Sequence, residues 1–261
     1  MTRLRWVAVM FVLAMSFSAA GQQPAGVDKP IATGFLHKTL TIEQEAYAYC
    51  VYVPPEYTAE KPWPVILFLH GSGERGRDGF AQTEIGIARL IRRRHDLVPA
   101  IVVMPQCRPK TGWVGQMAKM ALRCVEATSR EYRCDSDRVY LTGLSMGGNG
   151  AWLLAAQFPQ SFAAVVPICG FAELRESTGL AEKLAPRLTD LPIWCFHGDA
   201  DTNVPVGKSR ELVAAIRSAG GTIKYTEYKG GTHNVWDRAY GSKALWKWLF
   251  AQKRPSKPGS P

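Results

Sequence analysis

The chain has 261 residues, of which 46% are apolar and 21% are charged. This is the composition of a globular protein with one substantial core, and it excludes a low-complexity chain. The formal net charge is +10, but the basic clusters at 89–95 and 253–261 carry no interleaved aromatic residues. The charge therefore predicts a solvated surface and no nucleic-acid partner.

The N-terminal residues have the pattern of a secretory signal. A short basic stretch, MTRLR, precedes the apolar run WVAVMFVLAMSF, and small residues follow up to Ala20. The apolar run is shorter than the roughly 20 residues that a membrane span needs. We therefore expect a signal peptide at 1–20 that is cleaved on export, to the periplasm or outside the cell. A linker is expected at 21–34, one folded domain at 35–252, and a disordered basic tail at 253–261.

Apolar runs alternate with helical patterns along the folded domain. Strands are predicted at 46–54, 65–71, 100–105, 138–143, 163–170, 193–198 and 222–228, and helices at 84–94, 115–132, 148–157, 209–220 and 241–252. Most of the strands are continuous apolar runs, which is typical of burial on both faces, whereas 222–228 alternates and is predicted nearer an edge. This order predicts one α/β domain with a mostly parallel sheet. In such sheets ligands bind at the carboxyl ends of the strands.

A glycine-rich serine motif follows the predicted strand at 138–143. Gly143, Ser145 and Gly147 match the pattern G-x-S-x-G, and the motif opens a predicted helix. A strand, a tight turn and a helix are the context that a nucleophile elbow requires, because side chains at the flanking positions would collide with the neighbouring backbone. A purely structural glycine turn is the alternative. The position favours Ser145 as a nucleophile.

A serine nucleophile needs a base and an acid that orients it. His233 lies in the loop between the last predicted strand and the last helix, which is where this fold places the base. The stretch FHGDADTNVP, after the preceding strand, offers Asp199 and Asp201 as the acid, with Asp237 as an outside candidate. The residues alone do not choose between Asp199 and Asp201.

Acyl transfer also needs donors for the oxyanion that develops on the substrate. One is expected from the backbone N–H of Met146, directly after the nucleophile. The other is expected from the glycine-rich loop within 67–76, which follows an earlier strand. His70, in that loop, is predicted to brace it rather than to act as a second base.

The chain has six cysteines, an even number that permits up to three disulfides in an exported protein. Cys169 and Cys195 lie in or beside predicted strands and are interpreted as core thiols. Cys107 and Cys124 lie outside the apolar runs and are the more favoured bridge. None of the six cysteines lies in a C-x-x-C motif or near a histidine cluster, so no zinc site is expected.

Taken together, these segments resemble the α/β-hydrolase superfamily. The matching pieces are HGSGERGRDG, VVMPQC, DSDRVYLTGLSMGGNGAW, FAAVVPICG, PIWCFHGDADTNVP and GGTHNVWDRAY, and they extend from about residue 45 to 252. In particular they resemble the small secreted esterases and predicted peptidases, a group related to the carboxylesterase/phospholipase, polyhydroxybutyrate-depolymerase and dienelactone-hydrolase branches. Dienelactone hydrolases use a cysteine nucleophile, so the serine argues against that reaction.

The resemblance implies roles for particular residues. It selects Asp201 as the acid and makes Ser72 and Met146 the backbone donors of the oxyanion hole. It places Gln106 and Trp113 along the substrate cleft. It also implies an α/β-hydrolase fold for 35–252, with no metal and no organic cofactor.

The predicted function is that of a secreted serine hydrolase acting on short acyl or aryl esters, either small molecules or esters linked to a polymer. The segment at 170–192 leaves room only for a minimal lid, which favours an open cleft. Two alternatives are a prolyl-oligopeptidase-like peptidase, which usually carries a propeller domain, and a polyester depolymerase. A binding protein without activity would typically lack one of the three catalytic residues. No membrane association is expected after signal cleavage, and the sequence leaves the oligomeric state open.

Overall fold

The computed structural model describes residues 31–172 and 179–254. The predicted signal peptide at 1–20, most of the predicted linker and basic tail, and residues 173–178 of the segment at 170–192 lie outside the described residues. From Ala32 onwards the described chain forms one unit. Within it no helix has the length and apolar character that crossing a membrane requires.

The described residues form an eight-stranded sheet. Its strands are β1 (Gly34–Ile42), β2 (Glu45–Val53), β3 (Trp63–Leu69), β4 (Ile101–Pro105), β5 (Cys134–Leu144), β6 (Ala164–Ile168), β7 (Ile193–Gly198) and β8 (Ile223–Tyr228). The strand order is β1-β2-β4-β3-β5-β6-β7-β8, and β8 is an edge strand, as its alternating sequence predicts. The β1–β2 and β2–β4 pairs are antiparallel and the remaining pairs are parallel. The predicted mostly parallel sheet is confirmed.

Strand β1 is absent from the sequence prediction. Its residues are only half buried and alternate between partly buried and exposed positions, which is the signature of an edge strand with one solvated face. It forms a hairpin with β2 through Glu43 and Gln44, which both adopt positive φ. The continuous apolar runs that identified the other strands do not occur here.

Helices cover both faces of the sheet. They are α1 (Gly86–Arg94), α2 (Gly115–Glu131), α3 (Met146–Gln157), α4 (Leu180–Leu184), α5 (Gly207–Ser218), α6 (Trp236–Tyr240) and α7 (Lys243–Phe250). Apolar residues of α2, α3, α4 and α5 share one buried cluster with β3, whereas α1, α6 and α7 contribute to the cluster on the other face. Strands β3 and β4 are buried along their whole length because helices pack on both of their faces. The helix predicted at 241–252 corresponds to α7, and the short helix α6 precedes it.

All six cysteines are free thiols, and the expected Cys107–Cys124 bridge is a wrong prediction. Both residues are fully buried: Cys124 lies on the packed face of α2, and Cys107 follows β4 and contacts the Thr111 hydroxyl. The sequence did not indicate this burial, because neither residue lies in a continuous apolar run. Their burial comes from tertiary packing, in which a thiol behaves as a small apolar group.

Candidate active site

Ser145 occupies a strained turn between β5 and α3. Its backbone has φ 53° and ψ −118°, a conformation that a non-glycine residue adopts only when its surroundings impose it. Neighbouring glycines make the turn possible: a Cβ on Gly147 would lie 1.8 Å from the Leu69 carbonyl oxygen, and one on Gly143 would lie 2.2 Å from the Gly147 carbonyl oxygen. The steric role predicted for these two glycines is thus confirmed, because neighbouring backbone leaves no room for a side chain.

Three side chains meet at the carboxyl ends of the strands. The distance from Ser145 Oγ to His233 Nε2 is 3.0 Å, and that from His233 Nδ1 to Asp201 Oδ2 is 2.7 Å. Ser145 follows β5, Asp201 follows β7, and His233 lies in the loop between β8 and α6. The structure therefore brings the predicted nucleophile, base and acid into one hydrogen-bonded chain.

The Asp201 carboxylate is buried and held by backbone donors. Its Oδ1 accepts hydrogen bonds from the N–H groups of Asn203 and Val204, both at 2.9 Å. Burial acts to raise the pKa of Asp201, but the hydrogen bonds from His233 and these two N–H groups outweigh it and lower the pKa below its usual value. The carboxylate is thus ionised and oriented toward the imidazole.

The other two candidate acids have different partners. Asp199 Oδ1 accepts from the Gly230 N–H at 2.6 Å, so Asp199 braces the loop that leads to His233. Asp237 lies 3.7 Å from Arg89 in an exposed ion pair. Of the three, the structure places Asp201 on the imidazole.

The residues predicted to supply the oxyanion donors both lie near Ser145. Met146 is the first residue of α3, and N–H groups in the first turn of a helix have no partner within the helix. Ser72 begins a short 3₁₀ turn directly after Gly71. A Cβ on Gly71 would lie 3.8 Å from Ser145 Cβ, so this loop passes close to the serine.

Gln106 and Trp113 lie behind the loop that carries Ser72. Gln106 is 2% exposed; its Oε1 accepts from the Gly79 N–H and its Nε2 donates to the Glu74 carbonyl. Trp113 is 1% exposed, and its Nε1–H donates to the His70 carbonyl at 3.0 Å. Both side chains thus use their polar atoms to hold the loop in place, and their place along the substrate cleft stays a prediction.

His70 completes this support, as predicted. Its Nδ1–H donates to the Gly71 carbonyl at 2.6 Å, and its Nε2 accepts from the Cys107 N–H at 2.9 Å. The imidazole is fully buried, and this burial lowers the pKa of His70 to about 4.

This buried imidazole predicts a loss of stability in acid. An unfolded histidine titrates near pH 6.5, so between about pH 6.5 and about pH 4 the unfolded chain binds a proton that folded His70 does not. The free energy of unfolding should therefore fall over that interval, with a contribution from His70 of roughly 3 kcal/mol. Guanidinium unfolding at about pH 7 and about pH 4.5 measures the fall. His70→Gln should show a smaller fall, and an equal fall in both proteins would contradict the assignment.

A cleft of about 530 Å³ lies beside the loop that carries His233, although none of the three triad residues lines it. Its wall includes Gly73, Glu74, Arg89, Asn234, Trp236 and Asp237. The Trp236 ring stands edge-on to His233 with ring centres 5.4 Å apart. The cleft thus combines one aromatic wall with charged side chains of both signs.

Two residues of the candidate triad also belong to a group with metal-ligand spacing. Ligand atoms of Cys169, Asp201 and His233 lie within 4.8 Å of one another. Asp201 and His233 are hydrogen bonded to each other, and burial raises the pKa of the Cys169 thiol. The hydrogen bond between Asp201 and His233 makes these two residues part of the chain that ends at Ser145 Oγ.

One contact of the site escaped the sequence prediction. Asp201 Oδ2 also lies 3.2 Å from Nε2 of His197, a fully buried residue of β7. The only sequence signal was a histidine at the end of an apolar run, in the segment IWCFHG.

Comparison with known proteins identifies the family and the fold. The family model described as "Putative esterase" matches residues 42–253, and the chain belongs to that family. The fold is that of the α/β-hydrolases.

Individual relatives differ in how much of their length is matched. The crystal structure of a thermostable esterase is 33% identical with a TM-score of 0.75, and the match covers 84% of this chain and 63% of that one. A ferulic acid esterase is 20% identical with a TM-score of 0.63, covering 83% of this chain and 96% of that one. An uncharacterized secreted protein of Arthroderma benhamiae is 24% identical over 199 residues, which are 65% of this chain and 21% of that protein. The chain thus spans about a fifth of the fungal relative and less than two thirds of the thermostable esterase.

Proposed function

We propose that this chain is a serine carboxylesterase in which Ser145 is the nucleophile, His233 the general base and Asp201 the orienting acid. The observation that carries the proposal is the hydrogen-bonded chain from Ser145 Oγ through His233 to Asp201, at 3.0 and 2.7 Å. Membership of the esterase family and the 33% identity to a thermostable esterase support ester hydrolysis as the reaction.

The geometry supports a two-step acyl transfer. Ser145 Oγ attacks the ester carbonyl carbon while its proton passes to His233 Nε2, and ionised Asp201 stabilises the resulting imidazolium. The N–H groups of Ser72 and Met146 donate to the oxyanion. His233 then protonates the leaving alcohol, and a water molecule, deprotonated by the same imidazole, hydrolyses the acyl-enzyme.

The cleft suggests which esters fit. Its aromatic wall at Trp236 suits a short acyl or aryl group beside His233. The charged side chains Glu74, Arg89 and Asp237 suit a polar alcohol, free or linked to a polymer, better than a long aliphatic chain. We include export in the proposal because of the signal-like pattern at 1–20.

The choice of acid gives the sharpest test of the triad. Asp201→Asn should lower kcat for p-nitrophenyl acetate by about 10³- to 10⁴-fold, because the amide no longer imposes the required tautomer on His233. Asp199→Asn is the matched control: its hydrogen bond goes to Gly230, so kcat should stay within about 3-fold of wild type.

Both variants are compared by steady-state kinetics after their melting temperatures are checked. Similar losses in both, or a larger loss in Asp199→Asn, would contradict the assignment of Asp201. Peptide amide substrates in the same assay separate the esterase from a peptidase, which would cleave them at comparable rates.

A further inference from the structure

A second imidazole contacts the acid of the proposed triad. His197 Nε2 lies 3.2 Å from Asp201 Oδ2 and 2.9 Å from the Val204 carbonyl oxygen. On the other side of the ring, Nδ1 lies 2.7 Å from the hydroxyl of Ser209 in α5. The reaction as proposed above assigns no task to His197.

These contacts determine the proton positions on His197. Burial lowers the pKa of His197, so the ring is neutral and has one N–H. Both partners of Nε2 are acceptors, a carbonyl and an ionised carboxylate, so the hydrogen must be on Nε2. Nδ1 then accepts the Ser209 hydroxyl proton, for which the Gly170 carbonyl, at 3.4 Å, is a poorer acceptor.

The Asp201 carboxylate consequently faces four N–H donors, of which the His197 N–H is shared with the Val204 carbonyl at 2.9 Å. Asn203 and Val204 donate to Oδ1, while His233 and His197 donate to Oδ2. An ionised carboxylate offers about four lone-pair sites, so none is left over. The donor from His197 therefore adds to the three others that set the position of the carboxylate.

We propose that His197 is a positioning residue of the triad: the Ser209 hydroxyl fixes its tautomer, and its Nε2–H holds the Asp201 carboxylate in line with His233. This inference rests on the proposed function, since it assigns His197 a role in orienting that triad. Without the His197 donor, Oδ2 is free to rotate away from the imidazole. The same loss makes the carboxylate more basic, so that it binds the protonated imidazole more strongly.

The other titratable groups around His197 do not obscure a shift in the acid limb of the kcat/KM profile. Cys169, after β6, and Cys195, in β7, are buried thiols whose pKa burial raises, so they stay neutral. Glu227, opposite His197 on β8, is paired with Arg210 at 2.6 Å, and the hydrogen bond from Arg210 lowers the pKa of Glu227 to about 2. A displaced acid limb of kcat/KM therefore reports on Asp201 and His233.

Substitution of His197 by two different amides distinguishes its role as a hydrogen-bond donor from a role in packing alone. In His197→Gln the amide nitrogen reaches the place of Nε2 and can still donate to Asp201, whereas in His197→Asn the amide extends only as far as Nδ1. We expect His197→Asn to lower kcat for p-nitrophenyl acetate by about 10- to 100-fold, with KM within about 3-fold. Its acid limb should move to higher pH by roughly half a unit or more. His197→Gln should restore kcat to within about 5-fold of wild type and return the limb.

The outcomes distinguish this inference from the proposed function. If Ser145→Ala is inactive and His197→Asn matches wild type in kcat and in its acid limb, only the role of His197 is overturned. If Ser145→Ala remains active, the triad itself fails. Should the His197 variants not fold, nitrogen NMR of ¹⁵N-histidine-labelled wild type decides. A His197 ring that stays in the Nε2–H tautomer from about pH 6 to pH 8 supports the proposal, and one that titrates there overturns it.

Discussion

Ser145→Ala should lower kcat/KM for p-nitrophenyl acetate by about five orders of magnitude. The hydroxyl of Ser145 is the group that His233 Nε2 contacts, at 3.0 Å, and without it no acyl-enzyme can form. The remaining rate would come from the oxyanion donors and from binding alone. Alanine keeps the backbone of the turn, so the folded structure should persist.

A serine outside the site serves as the control. Ser218 is an exposed residue at the end of α5, and Ser218→Ala should retain full activity. Steady-state kinetics of both variants at equal concentration make the comparison. A Ser145→Ala protein that keeps more than about a hundredth of the wild-type kcat/KM would rule out Ser145 as the nucleophile.

Gly147→Ala should have the largest effect on folding. A Cβ at this position would lie 1.8 Å from the Leu69 carbonyl oxygen and 2.7 Å from that of His70, and neither backbone group can rotate away as a flexible side chain would. We expect a loss of about 4 kcal/mol or more in the free energy of unfolding, or a protein that does not fold. Any folded fraction should be inactive, because the turn that holds Ser145 must move.

Gly207 provides a matched glycine at the start of another helix. A Cβ there meets no atom within 4 Å, so Gly207→Ala should be neutral or stabilise α5 by roughly 0.5–1 kcal/mol. Guanidinium unfolding monitored by circular dichroism compares the two variants. A Gly147→Ala protein as stable as wild type would show that the β3–α3 approach is looser than in this structure.

Much of the fold can be predicted from the sequence, because β3 and β4 are continuous apolar runs and helical patterns follow them. Strand β1 could not be predicted in this way, since a half-exposed edge strand lacks such a run. Serine and histidine candidates followed from their places in the strand order. The choice of Asp201 over Asp199 needed the family resemblance, because both are aspartates of one loop.

The sequence was least informative about side-chain packing. The resemblance implied a place along the cleft for Gln106 and Trp113, but it did not show that both are buried and hold the loop of Ser72 through hydrogen bonds to its backbone. The contact of His197 with Asp201 likewise depends on how β7 and its following loop fold together. Contacts of this kind are set by the tertiary arrangement, which no local pattern encodes.

Covalent trapping tests the central claim most directly. The protein would be incubated with a fluorophosphonate, which reacts with an activated serine hydroxyl, and then digested and mapped by mass spectrometry. We predict one adduct per chain, on Ser145, and its loss when the protein is first incubated with excess ester substrate. An adduct on another residue, or none on an enzyme that hydrolyses p-nitrophenyl acetate, would contradict the account.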